Sequence, residues 1–276
     1  MAARVKAIEG AGPCLLGEGA IFQSDGSILW WVDIRGSRLF RYTIETGALQ
    51  AWPTPEWITR VVPTEVPGCL VGTLASSFGR IDTRLSSLKI ECDIALDDPE
   101  LRFNDGAMDP TGAYWAGTMP LSEDKPRGYW LRFAKGKRPI RLQTPGFTVT
   151  NGPAFDATEQ HVYLTDSATR QIYRARFEPE TGLQNLRPWR SFSCGDGYPD
   201  GMVIGPDGLL WIAFWDGGCL RALDGQGDIK REIELPVKRP TSLAFKSKGE
   251  LFVTSASYGL QPDGMQGRTL KVQLSD

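Results

Sequence analysis

Four side chains that offer oxygen ligands each stand directly before a glycine: Glu18, Asp105, Asn151 and Asp200. Each of them lies at the start of a short apolar segment, and these segments resemble one another. Carboxylates that share one buried space repel each other unless a cation or protons compensate them. A mixed set of Glu, Asp and Asn suits a hard divalent cation such as Ca²⁺, Mg²⁺ or Mn²⁺, and Zn²⁺ or Fe²⁺ also accept oxygen ligands. The residue types therefore predict a metal site, provided that the fold brings the four segments together.

The same dipeptides have an ordinary structural interpretation. Asp-Gly and Asn-Gly are common in tight turns, and Asp25-Gly26 and Asp207-Gly208 are interpreted as turns between strands. What favours the metal site is recurrence, because four polar residues occupy one equivalent place in a repeated segment. The glycine that follows each of them allows a tight backbone at the start of the strand.

Other catalytic arrangements lack the residues they need. His161 is the only histidine, and it is predicted to lie exposed in a turn before a strand at 162–165. The chain has no GxSxG, HExxH, P-loop or GxGxxG motif. Nucleophilic triads and His-rich zinc sites are therefore poor candidates, and oxygen-ligand chemistry remains.

Composition narrows the class of protein. The 276 residues carry a net charge of −2 with scattered Lys and Arg, which argues against nucleic-acid partners and against an anionic membrane surface. No apolar run approaches the roughly 20 residues of a membrane span, and the N-terminus lacks a signal-peptide core. The five cysteines form no CxxC pair. They are predicted to be reduced thiols packed as small core residues, in a cytoplasmic protein.

A repeated pattern of strands must position the polar residues. In 198–215, a short strand at 202–204, a Pro206-Asp207-Gly208 turn and an aromatic strand at 209–215 form a hairpin, with Asp200 just ahead. The same order recurs five more times, roughly every 40 to 50 residues. The six copies are 17–47, 58–83, 104–119 with 128–136, 151–177, 198–215 with 219–227, and 241–259.

Six such units predict an all-β, six-bladed β-propeller formed by a single domain over 1–276. An immunoglobulin-like sandwich would have about seven strands and no self-similarity. A strand at 4–9 is expected to complete the last blade and close the ring. The innermost strand of every blade lines the central channel, so the four polar residues should meet at one end of it. Trp30, Trp31, Trp115, Trp130 and Trp211 are expected to pack between blades, whereas Trp57 and Trp215, nearer strand ends, are candidates for the wall of a pocket.

Several strings resemble those of the SMP-30/gluconolactonase/regucalcin-like family. They are LGEGAIF, RFNDGAMDPTGAYWAGTM, TNGPAF, YPDGM and FVTSA, which span about 16–256. The resemblance implies a six-bladed propeller with one divalent metal ion near the channel mouth. By the matching positions it implies metal ligands at Glu18, Asn151 and Asp200. It implies substrate contacts from Arg102 and Asn104, and from Glu123, which lies just beyond the place of the family's Glu after AGTM.

The reaction that the resemblance implies is hydrolysis of a sugar lactone to its aldonic acid. Asp200 is the first candidate for the general base and Asp105 is the second. Two alternatives remain: another metal-dependent esterase or phosphotriesterase on the same propeller, and a non-catalytic propeller that binds cations or proteins. The protein is expected to be a monomer or a weak homo-oligomer.

Overall fold

Each copy of the repeat forms one four-stranded antiparallel sheet, or blade. The computed structural model describes residues 3–84, 88–158, 160–261 and 263–274, apart from the side chains of residues 92 and 93. Within them lie 24 strands and no α-helix; a 3-10 turn spans Cys194–Asp196. Blade 1 consists of β2 (Gly17–Phe22), β3 (Ile28–Asp33), β4 (Arg38–Thr43) and β5 (Leu49–Pro53). Blade 2 consists of β6 (Ile58–Pro63), β7 (Cys69–Leu74), β8 (Ser77–Asp82) and β9 (Lys89–Ala95). Blade 3 consists of β10 (Leu101–Met108), β11 (Tyr114–Pro120), β12 (Trp130–Phe133) and β13 (Ile140–Arg141).

The other three blades follow the same order. Blades 4 and 5 are β14 (Thr150–Asp156), β15 (His161–Asp166), β16 (Gln171–Glu178), β17 (Gly182–Ser191) and β18 (Tyr198–Ile204), β19 (Leu210–Trp215), β20 (Cys219–Leu223), β21 (Ile229–Glu234). Blade 6 consists of β22 (Pro240–Ser247), β23 (Glu250–Ser255), β24 (Leu270–Leu274) and, as its outer strand, β1 (Ala3–Ala7). The predicted all-β fold is confirmed.

The six blades form a closed ring. Their first strands contact one another in the cyclic order β2, β6, β10, β14, β18, β22 and again β2, so these strands line the centre. β1 pairs antiparallel with β24, from Ala3 opposite Leu274 to Ala7 opposite Leu270. The N-terminal strand thus completes the last blade, as the sequence predicted. Closure leaves no open sheet edge between the first and last blades.

The core lies between neighbouring blades. Blades 5 and 6 share one apolar cluster that contains Trp211, Leu220 and Leu251. Burial on both faces explains why inner strands such as β19 read as continuous apolar runs rather than as alternating ones. The five tryptophans predicted to pack between blades are all completely buried. Among the described residues, no helix is long and apolar enough to cross a membrane.

An irregularity in pairing interrupts every innermost strand close to its start. In β18 it falls between Pro199 and Met202, so Asp200 and Gly201 oppose a single residue of β19. This arrangement is a β-bulge, which bends a strand and redirects its side chains. The prediction that Asp200 lies ahead of its strand is therefore wrong, because β18 begins at Tyr198. The corresponding shifts are Glu18/Ile21, Ile58/Arg60, Phe103/Gly106, Asn151/Ala154 and Pro240/Ser242.

Two smaller predictions need correction. His161 is the first residue of β15 and is half-buried, with its ring beside Tyr163, so it does not occupy an exposed turn. Of the cysteines, Cys14 and Cys219 are buried as predicted, but Cys69 is half-buried and Cys194 is exposed. Cys69 is the first residue of β7, where the strand leaves its turn, and Cys194 lies in the 3-10 turn between blades 4 and 5. The side chain of Cys92 lies outside the described residues.

Candidate metal and substrate site

A cavity of about 450 Å³ whose wall includes six charged side chains lies at the end of the ring where the innermost strands begin. Its walls come from the starts of these strands and from the loops that follow the second strand of several blades. Five of the predicted site residues line it: Glu18, Arg102, Asn104, Glu123 and Asp200. A larger cavity of about 790 Å³ between blades 2 and 3 has a mainly apolar lining and contains none of the predicted site residues. The chemistry predicted from the sequence therefore converges on the smaller cavity.

Glu18 and Asp200 are carboxylates on the innermost strands of blades 1 and 5, and both are more than nine-tenths buried. The Gly19 amide donates a hydrogen bond to Oε2 of Glu18 at 3.0 Å. Burial, followed by the charge of Asp105, raises the pKa of Glu18 to about 8. Burial raises the pKa of Asp200 well above its usual range, and the charges of Glu18 and Asp105 add to this. The two acids thus repel each other in a space that a cation would neutralise.

Asn151 on β14 is buried behind the cavity wall rather than in it, and hydrogen bonds hold both polar atoms of its amide. Its Oδ1 accepts a hydrogen bond from Asn104 Nδ2 at 3.3 Å, and its Nδ2 donates to Ser167 Oγ at 2.8 Å. Ser167 Oγ in turn donates to the carbonyl of Pro199, directly before Asp200. These hydrogen bonds fix the amide, and its oxygen retains the capacity to accept one more contact.

Glycines let these strands approach one another closely. Gly152 has a φ of 89°, and a Cβ there would lie 2.6 Å from Cε of Met202. A Cβ on Gly201 would lie 2.7 Å from the carbonyl oxygen of Thr241 on the next blade. The glycines after Asn151 and Asp200 are therefore needed to bring blades 4, 5 and 6 together at the site.

Arg102 is a nearly buried cation on β10 and lines the cavity beside the acids. One terminal nitrogen donates to Oδ1 of Asn104 at 2.6 Å and to the carbonyl of Phe103 at 2.9 Å. The other lies 3.9 Å from Oε1 of Glu123. Burial lowers the pKa of Arg102 to about 10, so it is charged at neutral pH. Asn104 also donates to the carbonyl of Thr150 at 2.7 Å, and both of its amide hydrogens are thereby engaged.

Glu123 lies in the loop after β11, and its carboxylate is about half exposed. Its backbone adopts a φ of 54°, and its amide donates to the carbonyl of Pro120. The loop turns the side chain back toward Arg102, although Glu123 stands later in the sequence than the motif led us to expect. Glu123 thus contributes a partly exposed carboxylate to the wall of the cavity.

Asp105 differs from the other predicted acids because both of its oxygens are occupied by the protein. Oδ1 accepts from the Gly106 amide at 2.8 Å and lies 3.6 Å from Nε of Arg60, while Oδ2 accepts from the Gly152 amide at 3.0 Å. Burial raises its pKa, and Arg60 opposes that shift. Asp105 therefore ties blade 3 to blade 4, next to the cavity but not in its wall.

The four polar residues that the sequence aligned at one equivalent position differ in their strand pairing. Glu18 and Asn151 are the last paired residues before their bulges, Asp200 is the first residue inside its bulge, and Asp105 is the second. The expected equivalence of the four positions is therefore wrong by one or two residues. A bulge opposes two residues to one, and a sequence alignment on the following glycine cannot tell which of the two a side chain occupies.

The donor set fits a divalent cation. Among the described residues, no three His, Cys, Asp or Glu side chains form a metal-binding group. The predicted ligands are instead two carboxylates and one amide oxygen, a set that a hard cation accepts together with water or substrate oxygens. The raised pKa values of Glu18 and Asp200 are the observation that supports the fit, because two buried acids lack sufficient compensating charge.

Sequence reasoning missed several residues in the wall of the cavity. Most of these residues lie in the turn after the second strand of a blade, and one lies at the start of a first strand. Their position next to a predicted turn is the only sequence signal that could have marked them. Trp215, a candidate wall residue, does line the cavity, while Trp57 lies under Arg35 and Arg102 with its ring centre 5.3 and 6.0 Å from their guanidinium carbons. The missed residues include Arg35, Ser167, Tyr198, Asp216 and Tyr258.

Fold and site together define a six-bladed β-propeller with an acidic and arginine-lined cavity at one end of its ring. The chain belongs to the SMP-30/gluconolactonase/LRE-like family, whose model matches residues 16–257. This finding confirms the resemblance seen in the motifs.

Two curated relatives have names that state an activity. An L-arabinolactonase from Azospirillum brasilense is 31% identical over 91% of this chain and 84% of its own length. The pentonolactonase XacC from Haloferax volcanii is 33% identical over 92% of this chain and 85% of its own. Among solved structures, a calcium-binding regucalcin from Agrobacterium tumefaciens superposes with a TM-score of 0.86 and 26% identity, covering 95% of this chain and 92% of that one. The chain is thus a member of a family that contains sugar lactonases.

Proposed function

We propose that the protein hydrolyses sugar lactones to aldonic acids with the help of one divalent cation. The observation that carries the proposal is the pair of buried, mutually repelling carboxylates, Glu18 and Asp200, in the same cavity as the buried Arg102. The names of the arabinolactonase and pentonolactonase relatives support the substrate class. Water adds to the lactone carbonyl, the ring C–O bond breaks, and the released oxygen takes up a proton.

Glu18, Asn151 and Asp200 would hold the cation. Polarisation of the lactone carbonyl and acidification of the attacking water are the chemistry that such a cation supplies when bound. The hydrogen bonds from Asn104 to Asn151 and from Asn151 to Ser167 keep the amide in place. Neither acid has a described ion pair to an arginine, so both keep capacity for ligand binding.

Proton transfer is assigned to Asp200, since it lines the cavity and Asp105 does not. A carboxylate that contacts a cation is a weaker base, so it serves best against a water that is already acidified. Asp105 accepts two backbone hydrogen bonds and faces Arg60, which makes it a positioning residue between blades 3 and 4. Its predicted role in proton transfer stays a prediction.

Arg102, Asn104 and Glu123 would bind the hydroxyl groups of the sugar. Arg102 retains donors on the nitrogen that faces Glu123, and donors of this kind suit sugar oxygens. Asn104 has only its Oδ1 free to accept a further hydrogen bond, so its larger contribution is to orient Arg102 and Asn151. Glu123 can accept from a hydroxyl group at the mouth of the cavity.

The test is acid release from a panel of five- and six-membered aldonolactones. We expect hydrolysis that EDTA abolishes and that an added divalent ion restores. Equal rates with and without chelator would reject the cation, and hydrolysis of phosphotriesters alone would move the protein to another class of hydrolase. Binding of the cation with no hydrolysis of any ester would favour a non-catalytic role.

A further inference from the structure

Arg35 is a cavity residue that the proposed lactonase chemistry does not use. It lies in the turn between β3 and β4, and this turn is held by the completely buried Asp33. Oδ1 of Asp33 accepts from the amides of Leu16 and Gly36, each at 3.0 Å. A Cβ on Gly36 would lie 2.2 Å from the Asp33 carboxylate, so this close approach requires glycine. The backbone that presents Arg35 is therefore rigid.

Aromatic rings fix the Arg35 side chain at the wall of the cavity. Its guanidinium carbon lies 4.0 Å from the ring centre of Tyr258 and 5.3 Å from that of Trp57. Stacking on aromatic faces orients a guanidinium but leaves its N–H donors unsatisfied. Within the described part of the chain, no hydrogen bond or ion pair engages these donors. Arg35 is thus a pre-oriented cation with donors to spare.

The charges of the cavity balance except at Arg35. Glu18 and Asp200 would be neutralised by the divalent cation of the proposed function. Asp216 is paired with Arg239, whose Nε lies 2.7 Å from Oδ1 of Asp216. Glu123 faces Arg102 at 3.9 Å. One positive charge therefore remains without a partner among the charged groups that line the cavity.

We propose that Arg35 binds an anionic group at the end of the substrate remote from the reacting carbonyl. The inference rests on the proposed lactonase function and narrows its substrate class to aldonolactones that carry a carboxylate, phosphate or similar oxyanion. The planar fork of a guanidinium matches two oxygens of such a group. Because turn and side chain are already fixed, little conformational entropy is lost when the anion binds.

The experiment compares binding of gluconate, glucarate and 6-phosphogluconate by titration calorimetry, with and without Ca²⁺. Gluconate has one anionic end, and the other two have a second anion at the remote end. We expect the doubly anionic ligands to bind wild-type protein about tenfold more tightly than gluconate, the size of one charge-assisted hydrogen-bonded contact. In Arg35→Met the ratio of the gluconate Kd to the Kd of a doubly anionic ligand should fall to about one, and Arg35→Lys should retain part of the preference.

Arg141→Met is the matched control, because Arg141 stacks on Tyr129 at a similar 4.1 Å but is exposed and outside the cavity wall. It should keep the wild-type preference. Equal binding of all three ligands by wild type, or an unchanged preference in Arg35→Met, overturns the proposal. Hydrolysis is measured in parallel with galactono-1,4-lactone and glucaro-1,4-lactone. If neither lactone is opened but the preference persists and needs Arg35, the lactonase proposal fails and the anion site stands.

Discussion

All six blades have the same irregularity near the start of their innermost strands, but they use it in two ways. In blades 1 and 4 it directly follows Glu18 and Asn151, and in blade 5 it contains Asp200; all three have ligand atoms to spare. In blade 3 it contains Asp105 and Asn104, and Asn104 lines the cavity. In blades 2 and 6 the unpaired residues are Thr59 and Thr241. Their hydroxyls pair with those of threonines on the next strand of the same blade, at 2.8 Å and 2.9 Å.

The difference shows that backbone geometry alone does not make a site. Two threonine hydroxyls that hydrogen-bond to each other link neighbouring strands of the sheet and satisfy each other, so they need no ligand. Two carboxylates and an amide near the corresponding bulges have too few hydrogen-bond and charge partners in the protein. Because they are buried, these missing partners cost free energy. Most residues that line the cavity accordingly come from blades 1, 3, 4 and 5, and Tyr258 comes from blade 6.

The largest expected effect comes from removing one charge at the acidic bulges. Asp200→Asn and Glu18→Gln should each lower kcat/KM by more than about 100-fold, since each would remove a proposed cation ligand and Asp200 is also the proposed base. Both variants should stay folded, and they should be at least as stable as wild type without cation, because one of two repelling charges is gone. Steady-state kinetics and thermal unfolding in EDTA measure the two effects.

Thr59→Ser, which keeps a hydroxyl at the bulge of blade 2 and lies outside the cavity wall, is the control for these variants. It should retain activity. Wild-type rates in both Asp200→Asn and Glu18→Gln would place the site elsewhere.

A second, intermediate effect concerns the pH dependence of stability. The folded-state pKa of Glu18 is raised from 4.5 to about 8, and that of Asp200 is also raised. Such groups give full stability below the unfolded pKa and lose it as the pH rises through the folded one. Without cation, the melting temperature should therefore fall by at least about 4 °C between pH 6 and pH 8.5.

Added Ca²⁺ or Mn²⁺ should restore stability, and more so at pH 8.5 than at pH 6. Differential scanning calorimetry at several pH values measures how the melting temperature changes with pH, once in EDTA and once in excess cation. In Glu18→Gln the slope should be shallower. A melting temperature that rises over this pH interval in the chelated protein would contradict the assignment of raised pKa values.

The smallest expected effect lies at the threonine bulges. Thr59→Val should destabilise the protein by about 1–2 kcal/mol, because it leaves the Thr73 hydroxyl with only the Tyr114 hydroxyl, at 3.4 Å, in place of its partner at 2.8 Å. The double change Thr59→Val/Thr73→Val should recover part of this loss. Activity should change less than about twofold. Denaturant unfolding and the lactone assay distinguish the two outcomes, and a large loss of activity would mean that blade 2 contributes to the site.

The fold was largely predictable because its signals repeat. In five of the six blades a turn that contains glycine joins the first two strands, and the second strand of each blade is largely buried, so errors in one copy are corrected by the others. The pairing of β1 with β24 was also predictable, since a ring of hairpins needs one strand to close it. What periodicity could not locate is the bulge, which moved Asp200 inside β18 and separated it in register from Glu18.

The candidate site was only partly predictable for a related reason. Glu18, Arg102, Asn104, Glu123 and Asp200 reach one cavity, as the motifs led us to expect. Arg35, Tyr258 and Asp216 lie in loops whose sequences have no distinctive pattern, and their importance arises from contacts between blades that are distant in sequence. The occupied oxygens of Asp105 likewise depend on Gly152, a residue of another blade.

The contact between blades 6 and 1 means that the site is completed only after the last blade has been synthesised. Thr241 of blade 6 donates a hydrogen bond to the carbonyl of Gly17, the residue before Glu18, and β1 is held by β24 at the far end of the chain. A nascent chain that has left the ribosome only as far as blade 5 already contains every proposed ligand, but the support beside Glu18 is missing. We therefore expect affinity for the proposed cation to appear only with the last blade, and a chain truncated after blade 5 to bind the cation weakly.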